Sequence, residues 1–274
     1  MTATRAPAPV HRALAPGTSI GGGRHVLKHL GGGDRYQAYV AWDATMHAPV
    51  VAKVLRPHLV ADARGLAAIA REAVALERLA HPDLVRGFGS TLDGDHPHLV
   101  LEYLDGPRLS TLVRQFGPLS PEQLILLARR VAGVLAYFGE VDWVHLDIKP
   151  RNLVMTATPK VIDLSVARPV ADARGRSGVG TRAYMAPEQA DPARAETIGP
   201  ASDIWGLGAT LYEAVTGIQA FPSIGDGPRH PQLTQRAPAL PERVPPLLAE
   251  TIVACLAMDP TDRPTAAFIS SMPL

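Results

Sequence analysis

The chain is poor in several features that would mark a protein class. Among its 274 residues there is one cysteine, Cys255, which excludes a disulfide scaffold and a cysteine-rich metal site. It lies in an apolar stretch, Ile252 to Met258, where a packed thiol is expected rather than a reactive one. Neither sign of charge is in excess. The 27 Lys+Arg against 26 Asp+Glu leave a net charge of +1, so nothing points to nucleic acid or an anionic membrane as a partner. No run of about 18 uncharged apolar residues occurs, so no membrane span is expected. The opening MTATRAPAPVHRALAPG lacks the apolar segment of a signal peptide. Aromatic residues make up only 5%, but 46% hydrophobic and 19% charged residues is a globular balance that excludes a disordered or fibrous chain. Lysine is scarce: Lys28, Lys53, Lys149 and Lys160 are four of the 27 cations. Each lysine therefore stands out against arginine.

Residues 1–17, with Pro7, Pro9 and Pro16 and no periodicity, read as a flexible leader. Five strand-like runs follow: Val26–Leu30, Tyr36–Trp42, Val50–Leu55, Val85–Leu92 and His98–Glu102. A helix over 62–80 interrupts them and stops at His81-Pro82. His96-Pro97-His98 falls at a hairpin tip, where solvated histidines are expected. After Asp105-Gly106-Pro107 the pattern becomes helical. Ser120-Pro121-Glu122-Gln123 is a helix start, with Ser as N-cap and Gln three residues on. Behind it Leu124, Leu127, Ala128, Val131, Leu135 and Phe138 form one apolar stripe. Further helices are expected at 201–217, 245–258 and 265–272, with irregular segments at 164–200 and 218–244. The fold class is α+β: a small β-rich lobe, a hinge near 102–107, and a larger helical lobe.

The most specific segment is His145-Leu146-Asp147-Ile148-Lys149-Pro150-Arg151-Asn152. A carboxylate (Asp147) can accept the proton of an attacking hydroxyl, an ammonium (Lys149) can steady a moving phosphoryl group, and an amide oxygen (Asn152) can ligate Mg²⁺. Asp163, eleven residues after Asn152, makes a two-ligand Mg²⁺ site. Upstream, Lys53 sits in the middle of an apolar strand, where a charge is expensive unless paired. Glu72 falls on the apolar face of the 62–80 helix with Ile69, Leu76 and Leu79, so a Lys53–Glu72 pair is expected. Gly31-Gly32-Gly33 lies between the first two strands and could let backbone N–H groups approach phosphate oxygens, although such a turn alone is equally an ordinary hairpin.

Taken in order, these motifs continue with Asp163-Leu-Ser, Gly180-Thr181, Ala186-Pro187-Glu188, Asp203-Ile-Trp-Gly-Leu-Gly and Arg263. The chain resembles the eukaryotic-like (Hanks-type) bacterial serine/threonine protein kinases, actinobacterial in type, over residues ~20–272. The resemblance implies a two-lobed protein kinase domain over 18–272, with a five-stranded antiparallel N-lobe (18–102) carrying one helix. It implies a hinge at 102–107, a mainly helical C-lobe (108–272), and ATP bound between the lobes. Asp147 would be the catalytic base and Lys149 would contact the γ-phosphate. Asn152 and Asp163 would hold Mg²⁺ (or Mn²⁺), and Lys53, held by Glu72, would contact the α/β-phosphates. Gly31 and Gly33 would cover the phosphates. Glu102 and Leu104 would offer hinge backbone to adenine with Leu101 as gatekeeper, while Leu30, Ala38, Ala52 and Val154 would sandwich the ring. Thr181 would bond Asp147 and Lys149 and mark Ser/Thr acceptors. Glu188 would pair with Arg263, and Asp203 would brace the catalytic loop.

Three positions depart from the family pattern. Tyr36 stands where the third glycine of the loop would be, with Ala38 in place of valine, and altered nucleotide affinity is expected. Asp163-Leu-Ser replaces Asp-Phe-Gly, which keeps the metal ligand and stiffens the turn. Leu146 replaces the arginine that in the family holds a phosphorylated activation loop, so activity independent of activation-loop phosphorylation is expected. The basic residues Arg168, Arg174, Arg176 and Arg182 read as a solvated loop. The expected activity is ATP/Mg²⁺-dependent phosphotransfer to protein Ser/Thr hydroxyls, in the cytoplasm. The chain stops just past the last expected helix, so its input is expected from a regulatory protein partner. The rival readings are a pseudokinase acting as a nucleotide-gated binding module and a small-molecule phosphotransferase.

Overall fold

A computed structural model describes residues 13–222 and 228–273. Of the expected leader, residues 1–12 lie outside the described residues, as do 223–227 of the expected irregular segment. The remainder of the leader is not loose. Ala13 and Leu14 pack on the first sheet, and the Leu14 N–H donates to Tyr39 Oη at 3.1 Å.

Contacts divide the chain into two units, one of residues to Glu77 plus Arg86–Tyr103, the other of Arg78–Val85 plus everything from Leu104. A straight cut at the hinge is therefore too simple. Arg78–Val85 belongs with the helical unit because the Val85 N–H donates to the Val161 carbonyl at 2.9 Å and the Val161 N–H to the Asp83 carbonyl at 2.8 Å.

The smaller unit is a sheet of six strands, one more than expected: β1 (Ser19–Gly21), β2 (Arg24–Gly32), β3 (Tyr36–Asp43), β4 (Ala48–Leu55), β5 (Gly87–Thr91) and β6 (His98–Glu102). Their order is β1-β2-β3-β4-β6-β5, antiparallel throughout. The extra strand, β1, is too short and glycine-rich to show alternation in sequence. Its Ile20 is 3% exposed and joins a cluster with Val26, Tyr39, Ala41, Val50, Ala52, Val54 and Val100. The register aligns Ala38 with Lys53 and Lys53 with Leu99. Because side chains alternate along a strand, Tyr36, Ala38, Val51, Lys53 and Leu101 share one face, and Tyr39, Ala52 and Val100 the other. Helix α1 (Ala63–Arg78) starts at Asp62, whose carboxylate accepts from the Arg64 and Gly65 N–H groups, and it turns Ala68, Ile69, Glu72 and Ala73 inward.

The larger unit contains α2 (Leu109–Phe116), which has only Leu109 and Val113 buried and so left little periodic signal. It is followed by α3 (Pro121–Glu140), β7 (Trp143–Val144), β8 (Leu153–Val154), β9 (Lys160–Val161), β10 (Arg168–Pro169), α4 (Val170–Ala173), α5 (Pro187–Ala190), α6 (Pro200–Thr216), α7 (Pro246–Cys255) and α8 (Ala266–Ser270). Ser120 forms the expected capping box with Gln123, and the α3 stripe from Leu124 to Phe138 is buried. Helix α6 lies at the centre, packed by α3 and α7. Glycine is required at one of its positions: a Cβ on Gly208 would stand 2.6 Å from the Cys255 Cβ. Cys255 is fully buried there, and desolvation pushes its thiol up to about 12, so it is a packing residue.

Candidate active site

In the smaller unit the expected ion pair is formed. The Lys53 ammonium donates to Glu72 Oε1 at 2.7 Å and Oε2 at 2.8 Å, and Glu72 is 1% exposed. Strand β4 supplies the cation and α1 the carboxylate. Each buried charge is thereby compensated, as burial demands. On the same face the Tyr36 ring lies under the ammonium, 4.6 Å from Nζ to the ring centroid. The glycine-rich hairpin is tightly made: the Gly33 N–H donates to the Tyr36 carbonyl at 3.0 Å, and a Cβ on Gly32 would come within 2.4 Å of that same oxygen.

One expected adenine contact needs correction. Ala52 is adjacent to Lys53, so strand alternation sends it to the opposite face, into the cluster with Tyr39 and Val100, where it is 0% exposed. Val51, aligned with Val40 and with Leu101, occupies the Lys53 face instead. Ala38 and the gatekeeper position Leu101 share that face, while Leu30, at 42% exposure, lies near the end of β2. The histidines expected in solvent at the hairpin tip also need correction in part. His98 is 0% exposed within β6, its Nδ1 is 2.7 Å from the His96 carbonyl oxygen, and burial lowers its pKa.

In the larger unit the loop between β7 and β8 brings four expected residues together. Lys149 Nζ donates to Asp147 Oδ2 and to Thr181 Oγ1, both at 2.6 Å. Asn152 Nδ2 donates to the Asp147 carbonyl at 2.9 Å and to Asp147 Oδ2 at 3.2 Å. One oxygen of Asp147 is thus held from two sides. The other, Oδ1, is buried and accepts no hydrogen bond among the described residues. A buried acceptor without a partner is an exception to the rule that buried polar atoms are hydrogen-bonded. His145 supports the backbone, with Nδ1 accepting the Asp147 N–H at 3.3 Å, and burial holds its pKa down.

The loop backbone is fixed from behind. Asp203, at the start of α6, accepts the His145 N–H at 2.7 Å and the Leu146 N–H at 2.6 Å. Burial pushes its carboxyl up to about 7 against the pull of those two donors. Gln189 on α5, which no sequence motif singled out, donates through Nε2 to the Leu146 and Val179 carbonyls, both at 2.9 Å. With both its N–H and its carbonyl held, Leu146 adopts a left-handed backbone at φ 63, a conformation costly for a branched side chain. Its side chain packs with Val144, Ala173, Ala195 and Ile198, flanked by Val166, Val170 and Val179. Farther back, Glu188 and Arg263 make the expected pair, two-pronged at 2.7 and 2.9 Å, with 1% and 0% of their side chains exposed.

Asn152 and Asp163 suit a hard divalent cation. With Asn152 Nδ2 committed to Asp147, the amide oxygen is the atom left to face an ion, and Asp163 adds a carboxylate from a left-handed turn at φ 72. Among the described residues no group of three or more His, Cys, Asp or Glu side chains gathers as an all-protein metal cage.

Asp147, Lys149, Asn152 and Thr181 thus form one hydrogen-bonded cluster. The chain belongs to the protein kinase domain family, whose model matches residues 24–274. It is 35% identical over 209 residues to the serine/threonine-protein kinase PknB of Mycobacterium leprae, covering 73% of this chain and 33% of that protein. It is 38% identical over 229 residues to PkaA, a serine/threonine-protein kinase of Streptomyces coelicolor, covering 79% and 41%. It is 33% identical over 251 residues to PknB of Mycolicibacterium smegmatis, covering 85% and 39%. The chain therefore spans well under half the length of these relatives. No helix among the described residues is long and apolar enough to cross a membrane.

Proposed function

We propose that the chain transfers the γ-phosphoryl group of ATP to Ser or Thr hydroxyls of proteins. The observation that carries this reading is the open oxygen of Asp147, set beside a lysine that is itself bonded to Thr181. In the transfer, the acceptor hydroxyl gives its proton to Asp147 Oδ1 while its oxygen bonds the γ-phosphorus. The bond from that phosphorus to the β,γ-bridging oxygen breaks, and ADP leaves with the electron pair. Lys149, a point charge on a flexible stem, neutralises charge on the moving group, and Lys53, oriented by Glu72, binds the α/β-phosphates. Asn152 and Asp163 would hold Mg²⁺ or Mn²⁺, which supplies charge neutralisation on the phosphates when bound. The cytoplasm, where ATP is plentiful, is the compartment that goes with this reading. Protein acceptors and a regulatory protein are its partners.

The activation segment needs no phosphate to be held. Leu146 meets Ala173, Ala195 and Ile198 through apolar contact, in the place where an arginine would otherwise await a phosphoryl group. Transfer of radiolabel from ATP with Mg²⁺ onto the chain itself and a generic protein acceptor, read by phosphoamino-acid analysis, tests the reading. Label on Ser/Thr that is lost in Asp147→Ala supports it. Magnesium-dependent ATP binding without any label would turn the reading toward a binding module.

A further inference from the structure

Tyr36 is unexplained by the reaction just described, yet it is built firmly into place. Its carbonyl accepts the Gly33 N–H at 3.0 Å, and next to it Arg56 ties the hairpin tip with a backbone N–H to the Arg35 carbonyl at 2.9 Å and Nε to the Gly33 carbonyl at 2.6 Å. The register puts Tyr36 opposite Leu55 and Ala38 opposite Lys53, so the ring and the ammonium lie on one face by strand geometry and not by the choice of a rotamer alone. Nζ stands 4.6 Å from the ring centroid, within the range in which an aromatic face attracts a cation. The ammonium donates to Glu72 at 2.7 and 2.8 Å, and the Tyr36 ring covers another of its sides.

We propose that Tyr36 is an affinity-setting residue of the nucleotide site, whose ring competes with the nucleotide's phosphates for the Lys53 ammonium. The inference rests on the reading that Lys53 binds those phosphates. A charge-assisted phosphate contact is stronger than a ring face, so the phosphates displace the ring and the site still fills, only at higher nucleotide concentration. The competition concerns phosphate alone. It raises KM for ATP and leaves kcat untouched, since the ring has gone by the time the complex reacts. A ligand without phosphates does not compete for Lys53 and does not register Tyr36.

The test compares wild type, Tyr36→Gly, Tyr36→Phe, Lys53→Met and the double variant of Tyr36→Gly with Lys53→Met. Binding of ATP·Mg, ADP·Mg and adenosine is read by calorimetry, with KM and kcat measured on the same proteins. Tyr36→Gly is expected to tighten ATP and ADP about 2- to 30-fold, the range that a cation–ring contact commands. Adenosine binding is expected to change less than twofold, with kcat within about twofold. Tyr36→Phe keeps the ring face and is expected to behave as wild type, which separates the ring from the hydroxyl. Lys53→Met is expected to weaken ATP, and in its presence Tyr36→Gly is expected to have no further effect. If Tyr36→Gly leaves ATP affinity unchanged or weakens it while Lys53→Met still weakens ATP, the competition is refuted and the role of Lys53 stands. If Lys53→Met does not affect ATP binding, both fall. Equal tightening of adenosine and ATP would also refute the competition, because it would mark a general loosening of the hairpin.

Discussion

The two units hold their working lysines by different means. Lys53 in the smaller unit is held by the Glu72 carboxylate, from a helix that faces its strand, and lies over the Tyr36 ring. Lys149 in the larger unit belongs to a mesh in which Asp147, Asn152, Thr181, Asp203 and Gln189 bond to each other or to loop backbone. An ion pair between a strand and a helix gives position without engaging the backbone of a loop. A mesh anchored on backbone fixes the loop as a whole, so removing a supporting residue is felt in both stability and rate. The difference fits the tasks proposed for them: one lysine would hold a ligand, while the other would stay within reach of a proton acceptor and a transferring group.

That contrast can be broken at several points. The largest effect belongs to Asp147→Asn, which is expected to lower transfer about 10³-fold or more, in the range lost with a general base, with melting temperature within about 2 °C of wild type. A parallel loss of fold would mean that the open oxygen is structural. Next, Glu188→Gln leaves Arg263 buried without its charge partner and is expected to cost about 3–5 kcal/mol, read by urea unfolding. Asp203→Asn sets an amide donor against the His145 or Leu146 N–H, at a cost of about 1–3 kcal/mol, together with a fall in kcat. Glu72→Gln leaves the Lys53 ammonium without its charge partner and is expected to reduce kcat/KM for ATP about tenfold while kcat moves little, at a stability cost below that of Glu188→Gln because Lys53 is less buried than Arg263. If Glu72→Gln lowered kcat as much as Asp203→Asn does, the distinction between pair and mesh would collapse.

The smallest effect concerns acid. His98 and His145 are kept neutral by burial, each below the ordinary value of 6.5. Below pH 6.5 the unfolded chain takes up protons that the folded one refuses, so this contribution to stability is present above 6.5 and is lost as pH falls. Asp203 runs the other way: its carboxyl, raised from 3.8 to about 7, gives a contribution that is lost as pH rises through about 7. His98→Asn removes one acid-sensitive group from the smaller unit only. The stability gap between wild type and variant is therefore expected to shrink, by at most about 1.4 kcal/mol per pH unit, on going from pH 7.5 to 5.5 in urea titrations. A gap that stays constant would show His98 to be charged in the folded protein.

Residues whose role is fixed by one side-chain partner were legible before any coordinates. Lys53 was an isolated charge in an apolar strand, Glu72 an acid on an apolar helix face, and each implied the other. Asp147, Lys149 and Asn152 were legible because they lie within six residues of one another. The hidden part of the site consists of groups whose partner is backbone. Gln189 is one glutamine among polar neighbours until the loop brings the Leu146 and Val179 carbonyls to it. Ala52 was misplaced for a simpler reason: proximity to Lys53 in sequence suggested a shared face, and strand alternation forbids it. Strand β1 and helix α2 escaped because so few of their side chains are buried that no period could form. His98 looked exposed from its Asp-Gly-Asp-His-Pro surroundings, but its place in β6 buries it between strands.

The central claim is that this mesh, with Leu146 in its apolar seat, is assembled without phosphate on the activation segment. The direct measurement is the time course of transfer to a protein acceptor by phosphatase-treated chain, with intact mass confirming zero phosphates at the start. A full rate from the first turnover, unchanged by prior incubation with ATP and by Ser177→Ala, is the predicted result. A lag that prior incubation with ATP removes, and that tracks the appearance of phosphate between Asp163 and Glu188, would contradict it.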